Sequence, residues 1–209
     1  MEIISTCQMR GRFGCHARCR VDVTKPLRAD AKRNREALIA AARQVFETGD
    51  EIRFDDFARR AGVGTGTLYR HFPTQDALVA AVYQEEVATL CQRAQELQAT
   101  LPAVVALTTF LTEFVDYVGP RHRLARTLAA LMARRADEFT EGSRALERAI
   151  TELVAAGVAQ GGIRSDVSAG SVMVALHGIG GAHDRPDWHT EADGLIKVLI
   201  DGLRTADSL

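Results

Sequence analysis

Apolar side chains recur three or four residues apart along most of the chain, the spacing that places them on one face of a helix. Glycine and proline separate these periodic segments, as at Gly119-Pro120. The pattern predicts an all-α fold of about nine helices. They cover 30–48, 54–61 and 65–71, 74 to about 98, 102 to the break at 119–120, a segment around 124–132, 140 to about 160, 168 to about 181, and about 191–204.

Residues 53–72 predict two short helices joined by a tight turn. Gly62-Val63-Gly64 breaks the pattern, because glycine tolerates the left-handed backbone that ends a helix. In the second helix, 65–71, Leu68 points inward while threonines and basic residues remain outside. A helix this short does not persist alone in water, so its polar outer face indicates a function. A DNA groove with its phosphates is the partner that fits such a surface.

The same stretch carries a family resemblance. The sequence A-R-R-A-G-V-G-x-G-T-L-Y-R-H-F-P-T-x-x-A-L-V, preceded by N-R-E-A-L-I-A-A-A-R-Q-V-F, resembles the DNA-binding domain of TetR-type transcriptional regulators. The match covers about Ala29 to Tyr83. Two positions depart from the family pattern, since Arg53 and Gly64 stand where a Ser or Thr usually caps a helix. Glycine is weaker than serine as a cap by only a few tenths of a kcal/mol, roughly, and losing the first cap costs about 1 kcal/mol.

The resemblance implies a homodimer in which each protomer inserts helix 65–71 into the major groove at one half of a near-palindromic operator. Thr65 and Gly66, at the end that enters the groove first, are expected to approach the bases. Thr65 is also expected, with Thr67 and Tyr69, to hold phosphates mainly, and Arg53, Arg70 and His71 are further candidates for phosphate contacts. The predicted DNA-binding residues are Arg53, Thr65, Gly66, Thr67, Tyr69, Arg70 and His71.

Residues 1–28 show no sustained period and carry six Lys and Arg against two Asp and Glu, which predicts a flexible basic arm, with a misassigned start of the reading frame as the alternative. The resemblance also implies a helix-turn-helix domain over 29–75 and a ligand-binding and dimerisation domain over 76–209. The last two helices would form a four-helix bundle with a second copy, since the final one is apolar over more than one face. The predicted interface residues are Val172, Leu176, Ile179, Leu195, Leu199 and Leu203.

A small, largely apolar effector is expected among the helices of 78–180. The predicted pocket residues are Phe110, Phe114, Met132 and His177, although His177 equally fits an interior histidine that is already hydrogen-bonded. The partners are therefore an operator in double-stranded DNA, a second copy of the chain and an unidentified effector. Repression is expected by analogy, and activation or ligand-independent binding remains the alternative.

Charge is divided unevenly between the two ends of the chain. Residues 1–72 carry 14 Lys and Arg against 9 Asp and Glu, whereas 73–209 carry 12 against 18. A basic front suits a protein that presents one end to a polyanion. An isoelectric point of about 6.6 argues against a purely architectural DNA-binding protein. Since no apolar run reaches the length of a membrane span or of a signal-peptide core, a cytoplasmic location is expected.

Two clusters contain side chains that bind metals elsewhere: Cys7, Cys15, His16 and Cys19 in the arm, and His183, Asp184, Asp187 and His189 near the last helix. Neither has the spacing of a common zinc site, so no metal and no cofactor are predicted. The chain shows no nucleophile elbow, P-loop or Rossmann fingerprint, and we expect no catalytic residues. A helical enzyme with a vestigial helix-turn-helix is the remaining alternative.

Overall fold

The computed structural model describes residues 24–48, 52–121, 136–182 and 185–205, with side chains placed from residue 29 onward except at 120 and 136–140. Within these ranges the fold is built from α-helices, as predicted, and eight are present. They are α1 (Thr24–Thr48), α2 (Phe54–Arg60), α3 (Thr65–His71), α4 (Gln75–Thr100), α5 (Ala103–Val118), α6 (Ala136–Ala159), α7 (Ala169–Gly181) and α8 (Trp188–Leu203). A single 3-10 turn, Gly119–Arg121, follows α5.

Helices α1 to α3 and the start of α4 enclose the first of two apolar cores. Leu38 and Ile39 of α1 are fully buried there, as is Leu68 of α3. Burying the apolar stripes of such short helices is what stabilises them, because hydrophobic burial contributes about 25 cal/mol per Å². The two short helices are therefore held by tertiary packing.

The second core lies among α4 to α8. Helix α4 belongs to both cores: Val82 is buried in the first and Val87 in the second. Tyr83 lies between these positions and packs against both. Because α4 continues without a break through the boundary, the two units are joined by a rigid element.

The helix ends follow the local sequence. Gly62 adopts a left-handed conformation with φ +68°, and Gly161 does the same with φ +75° after α6. The side chain of Thr74 accepts a 3.1 Å hydrogen bond from the backbone N–H of Ala77, and Ser168 caps α7 in the same way. Of these features, the turn at Gly62 was predicted from its residue type.

Helix α1 differs from its prediction, since it begins at Thr24 and not near residue 30. The last five residues of the predicted flexible arm, 24–28, are thus helical. Asp30 therefore lies inside the helix, where it pairs with Arg33. Residues 1–23, including the cysteine and histidine cluster, and the predicted helix around 124–132 lie outside the described residues.

Among the helices that the structure describes, none combines the length and apolarity required to cross a membrane.

Candidate DNA-binding surface

The packing of α2 against α3 decides which side chains of α3 remain accessible. Phe57 of α2 is buried at 1% exposure, and Leu68 and Phe72 close the inner side of α3. The backbone N–H of Val63 donates a 2.9 Å hydrogen bond to the carbonyl oxygen of Ala58, which fixes the turn between the helices. The opposite face of α3 has no other element of the described chain over it.

The outer face of α3 contains the predicted residues in two groups. Thr65, Gly66, Tyr69 and Arg70 are exposed, whereas Thr67 and His71 are half-buried. Gly66 and Arg70 are four residues apart and lie opposite Leu68, at the middle of the exposed face. A Cβ added at Gly66 would meet no atom within 4 Å, so a partner has open access to its backbone.

Tyr69 is held in place by α2. Its hydroxyl donates a 2.8 Å hydrogen bond to Asp55 Oδ1, and its ring meets Phe54 edge-on with centroids 5.4 Å apart. The hydrogen bond to Asp55 is the main reason why the pKa of Tyr69 is raised. Sequence reasoning missed this contact, because the two residues are fourteen positions apart and lie on different helices.

The N-caps of the two short helices are occupied by the two residues that depart from the family pattern. Gly64 occupies the N-cap of α3 and offers no side-chain hydrogen bond. Arg53 occupies the N-cap of α2, where its backbone N–H donates to Asp56 Oδ2 at 3.3 Å. The side chain of Arg53 is exposed, as a phosphate contact requires.

Basic residues of α1 extend the surface beside α3. The guanidinium of Arg35 lies over the ring of Phe72, 5.3 Å from its centroid, directly after the end of α3. Lys32 and Arg33 instead pair with Glu36 and Asp30 on their own helix. Arg35 is therefore a basic residue of α1 that lies beside the end of the recognition helix, and the sequence pattern did not single it out.

The predicted dimer interface is only partly accessible. Four of its residues fill the chain's own core, with exposures of 6% or less, and are not available to a second copy: Val172, Leu176, Ile179 and Leu203. Leu199 is partly buried against the same core. Leu195 is 52% exposed, and the unpredicted Val174 and Val198 are 73% and 69% exposed. The indole N–H of Trp188 donates to the carbonyl oxygen of Ile179, which joins α8 to α7.

Of the predicted pocket residues, Phe110 and Phe114 lie side by side and His177 is exposed on another helix. Phe110 is buried in the second core, and its ring centroid lies 6.5 Å from that of the partly buried Phe114. His177 is exposed on α7 with Nδ1 2.8 Å from the Met173 carbonyl oxygen, so it is not an interior histidine. Met132 lies outside the described residues. Asp187 sits at the N-cap of α8 and His189, in the first turn of that helix, lies 3.9 Å from Asp116, while His183 and Asp184 are also outside the described residues.

Comparison with known proteins places this geometry in a family. Residues 38–82 match the model for bacterial regulatory proteins of the tetR family, and residues 102–205 match the C-terminal domain of SbtR-like transcriptional regulators. A TetR transcriptional regulator from Streptomyces coelicolor is 38% identical, with 82% of this chain and 99% of that chain covered at a TM-score of 0.64.

Two further relatives match less closely. An HTH-type transcriptional regulator of Staphylococcus aureus is 28% identical over 95 residues, which span 43% of this chain and 50% of the regulator's length. The transcriptional regulator FadR from Bacillus subtilis, solved in complex with stearoyl-CoA, shares the fold at a TM-score of 0.64 but only 16% identity, over 81% of this chain and 99% of that one. The helix-turn-helix geometry, the two domain matches and the Streptomyces relative agree, and the chain belongs to the TetR family of DNA-binding transcriptional regulators.

Proposed function

We propose that this regulator is a homodimeric repressor that binds a near-palindromic operator and releases it when a small, largely apolar effector binds. The observation that carries the proposal is the outer face of α3, where Gly66 and Arg70 are exposed one helical turn apart. Each protomer would place this face in the major groove of one half-site, with the half-sites ~34–36 Å apart or a multiple of it.

The contacts divide by position on α3. Thr65, Gly66 and Arg70 face outward, and we assign them to base edges, with Gly66 permitting close backbone approach. For Arg70, the assignment to a base edge replaces the phosphate contact expected from the sequence. Arg70 lies at the middle of the exposed face of α3, the part of the helix that would point toward the base edges in the groove. Tyr69, Thr67 and His71 lie toward the edges of α3, and together with Arg53 and Arg35 they are assigned to phosphates.

Exposed apolar side chains support dimerisation through α7 and α8. Val174, Leu195 and Val198 are more than half exposed, and three such side chains on adjacent helices favour burial against another apolar surface. Gly178 and Gly194 lie beside them, exposed and with no neighbour within 4 Å of an added Cβ, so another helix can approach closely. A second copy of the same pair of helices would complete a four-helix bundle.

An apolar effector is supported by the composition of the second core around α5. Phe114 is partly buried beside Phe110 and packs against the second core. A ligand that contacts the exposed part of Phe114 would therefore meet an apolar side chain that is in direct contact with the core. FadR of Bacillus subtilis, which has the same fold, is bound to stearoyl-CoA in its solved structure. Coupling between effector and operator is typically about 1–3 kcal/mol, which corresponds to a 5–150-fold change in affinity.

The test is a selection of bound sequences from random duplex DNA with the full-length protein at low salt. We expect an inverted repeat. The monomerised variant Leu195→Glu/Val198→Glu serves as the matched control, since both positions are exposed and distant from α3; it should recover half-sites or nothing. Failure of the folded wild-type dimer to recover any repeat would contradict the proposal.

The selected operator then separates base contacts from phosphate contacts. Arg70→Ala should weaken operator binding by about 5–150-fold, the range of a lost bidentate base contact, and should change affinity for an unrelated duplex much less. An equal loss on both duplexes, with a flatter salt dependence, would return Arg70 to the phosphate backbone. Effector candidates are screened on the same complex by release of labelled operator, and the single tryptophan, Trp188, reports binding to the domain.

A further inference from the structure

Glu86 is the only charged residue that is buried among those whose side chains the structure describes, at 6% exposure. It lies on α4 at the boundary between the two apolar cores, beside Val87 of the second core and four residues after Val82 of the first. An unpaired carboxylate in such a place would be strongly destabilising, so its partners determine whether the junction holds together.

The partners of Glu86 come from both units. From α1 of the DNA-binding unit, Arg43 Nε donates to Glu86 Oε1. From the end of α5, the Tyr117 hydroxyl donates to Oε2, and from the 3-10 turn that follows, Arg121 Nε lies 3.6 Å from the same oxygen. The carboxylate is therefore contacted by three side chains on three other elements: α1, α5 and the 3-10 turn.

Further contacts tie these partners to one another. The Arg121 guanidinium lies 4.1 Å from the Tyr117 ring centroid and donates a 3.0 Å hydrogen bond to the Tyr117 carbonyl oxygen. It also lies 3.2 Å from Glu47 of α1, while Arg43 reaches Glu85 at 3.2 Å. Burial and the bond to Glu86 raise the pKa of Tyr117, and attraction to Glu86 and Glu85 outweighs burial to raise the pKa of Arg43. Both groups remain protonated donors at neutral pH.

Directional bonds constrain the junction more than apolar contacts do. Two apolar surfaces can slide over each other with little change in buried area, because the hydrophobic effect is not directional. Hydrogen bonds, by contrast, weaken steeply when their distance or angle changes. Movement of the α5 end relative to α4 would break the hydrogen bond of Tyr117 and lengthen the ion pair of Arg121, and movement of α1 would break the hydrogen bond of Arg43. The cluster therefore favours one angle between the DNA-binding unit and the regulatory helices.

We propose that Glu86, Arg43, Tyr117 and Arg121 are positioning residues that hold the DNA-binding unit at a fixed angle to the regulatory domain, and so set the distance between the two α3 helices of the dimer. This rests on the proposed binding of a dimer to a repeated operator. None of the four residues touches DNA in this role.

The experiment measures binding of the full-length dimer to the selected operator, to operators with the spacer between half-sites one base pair longer or shorter, and to an unrelated duplex. Tyr117→Phe removes one donor while keeping the ring under Arg121, and Glu86→Gln removes the charge while keeping the shape. Glu113→Gln is the matched control, because it breaks another α4–α5 ion pair, the exposed one with Arg93 at 2.7 Å.

Wild type and Glu113→Gln should discriminate against altered spacers. Tyr117→Phe and Glu86→Gln should reduce that discrimination by about fivefold or more, the lower end of coupling between linked sites, with binding to the unrelated duplex unchanged. Unchanged discrimination in a folded, dimeric Tyr117→Phe protein would overturn the proposal, whether or not Glu86→Gln folds. Loss of repeat recognition by the wild type would instead overturn the proposed function.

Discussion

The hydroxyl of Tyr69 on α3 donates a 2.8 Å hydrogen bond to Asp55 on α2. This contact joins the two short helices on their exposed side, where the apolar core does not reach. It fixes the ring of Tyr69 at the edge of the recognition surface before DNA is present. It also places a carboxylate next to the position proposed for a phosphate.

Asp55→Asn is expected to strengthen binding to every duplex by about two- to fivefold at low salt, because a negative charge near the phosphates is removed. The gain should shrink as salt is raised, since exposed charges are screened. Tyr69→Phe, which keeps the ring contact with Phe54, should weaken operator and unrelated duplex by similar factors. Titrations by fluorescence anisotropy at several salt concentrations measure both. Weaker binding by Asp55→Asn would mean that orienting Tyr69 matters more than the charge.

Gly66→Ala is expected to change the stability of the fold and the affinity for the operator in opposite directions. An added Cβ meets no atom within 4 Å, and alanine favours a helix over glycine by about 0.5–1 kcal/mol, so the free energy of unfolding should rise by up to that amount. If the DNA approaches the backbone here, operator affinity should nevertheless fall by about tenfold or more. Gly64→Ser is the control: it adds a cap to α3 worth roughly a few tenths of a kcal/mol and should keep operator affinity. Undiminished binding by Gly66→Ala would remove Gly66 from the interface.

Leu195→Glu and Val198→Glu are each expected to shift the protein to monomer without unfolding it, because both side chains are exposed in the single chain. Burying an unpaired carboxylate in an apolar interface is strongly unfavourable, so the effect on association should exceed tenfold. Sedimentation equilibrium gives the dissociation constant. Val105→Glu on α5 is the control, since Val105 is an apolar residue of similar exposure, 48%, on another helix. A dimer that tolerates both substitutions would place the interface elsewhere.

Gly142→Ala is expected to destabilise the packing of α6 on α4. Its Cβ would lie 2.5 Å from Tyr83 Cε1, and the Tyr83 hydroxyl lies 3.1 Å from Ser143 Oγ, which limits how far the ring can move. Overpacking of this kind costs about 1–3 kcal/mol. Chemical denaturation measures the loss. Tyr83→Leu removes the clashing ring atom, so the double variant should be less destabilised than the two single effects added together.

A matched glycine elsewhere tests that interpretation. Gly170→Ala lies in the first turn of α7, where the added Cβ meets only Ser168 Oγ at 3.5 Å, and it should leave stability unchanged or slightly higher. If Gly170→Ala lowered the free energy of unfolding as much as Gly142→Ala does, a steric clash between α6 and α4 would not be the cause of the destabilisation.

The bounds of the helix-turn-helix could be predicted from residues close together in the chain, although tertiary packing is what stabilises its two short helices. Gly62 turns left-handed and α3 runs from Thr65 to His71, both as the sequence predicted, and Thr74 caps α4 through its own side chain. Such features depend on neighbours within a few positions, which the sequence displays directly. Helical periodicity likewise determined the fold class, because apolar stripes at that spacing are buried only by other helices.

Tertiary structure decided which apolar face meets which partner. Helix α8 carries apolar residues on two faces, and periodicity cannot say that Leu203 fills the chain's own core while Leu195 and Val198 remain exposed. Nor could it place Glu86, rather than its neighbour Glu85, at the buried junction, because the partners Arg43 and Tyr117 lie 43 and 31 positions away. Burial and ion pairing are properties of distances in space, and the chain sets those distances only when all its helices have packed.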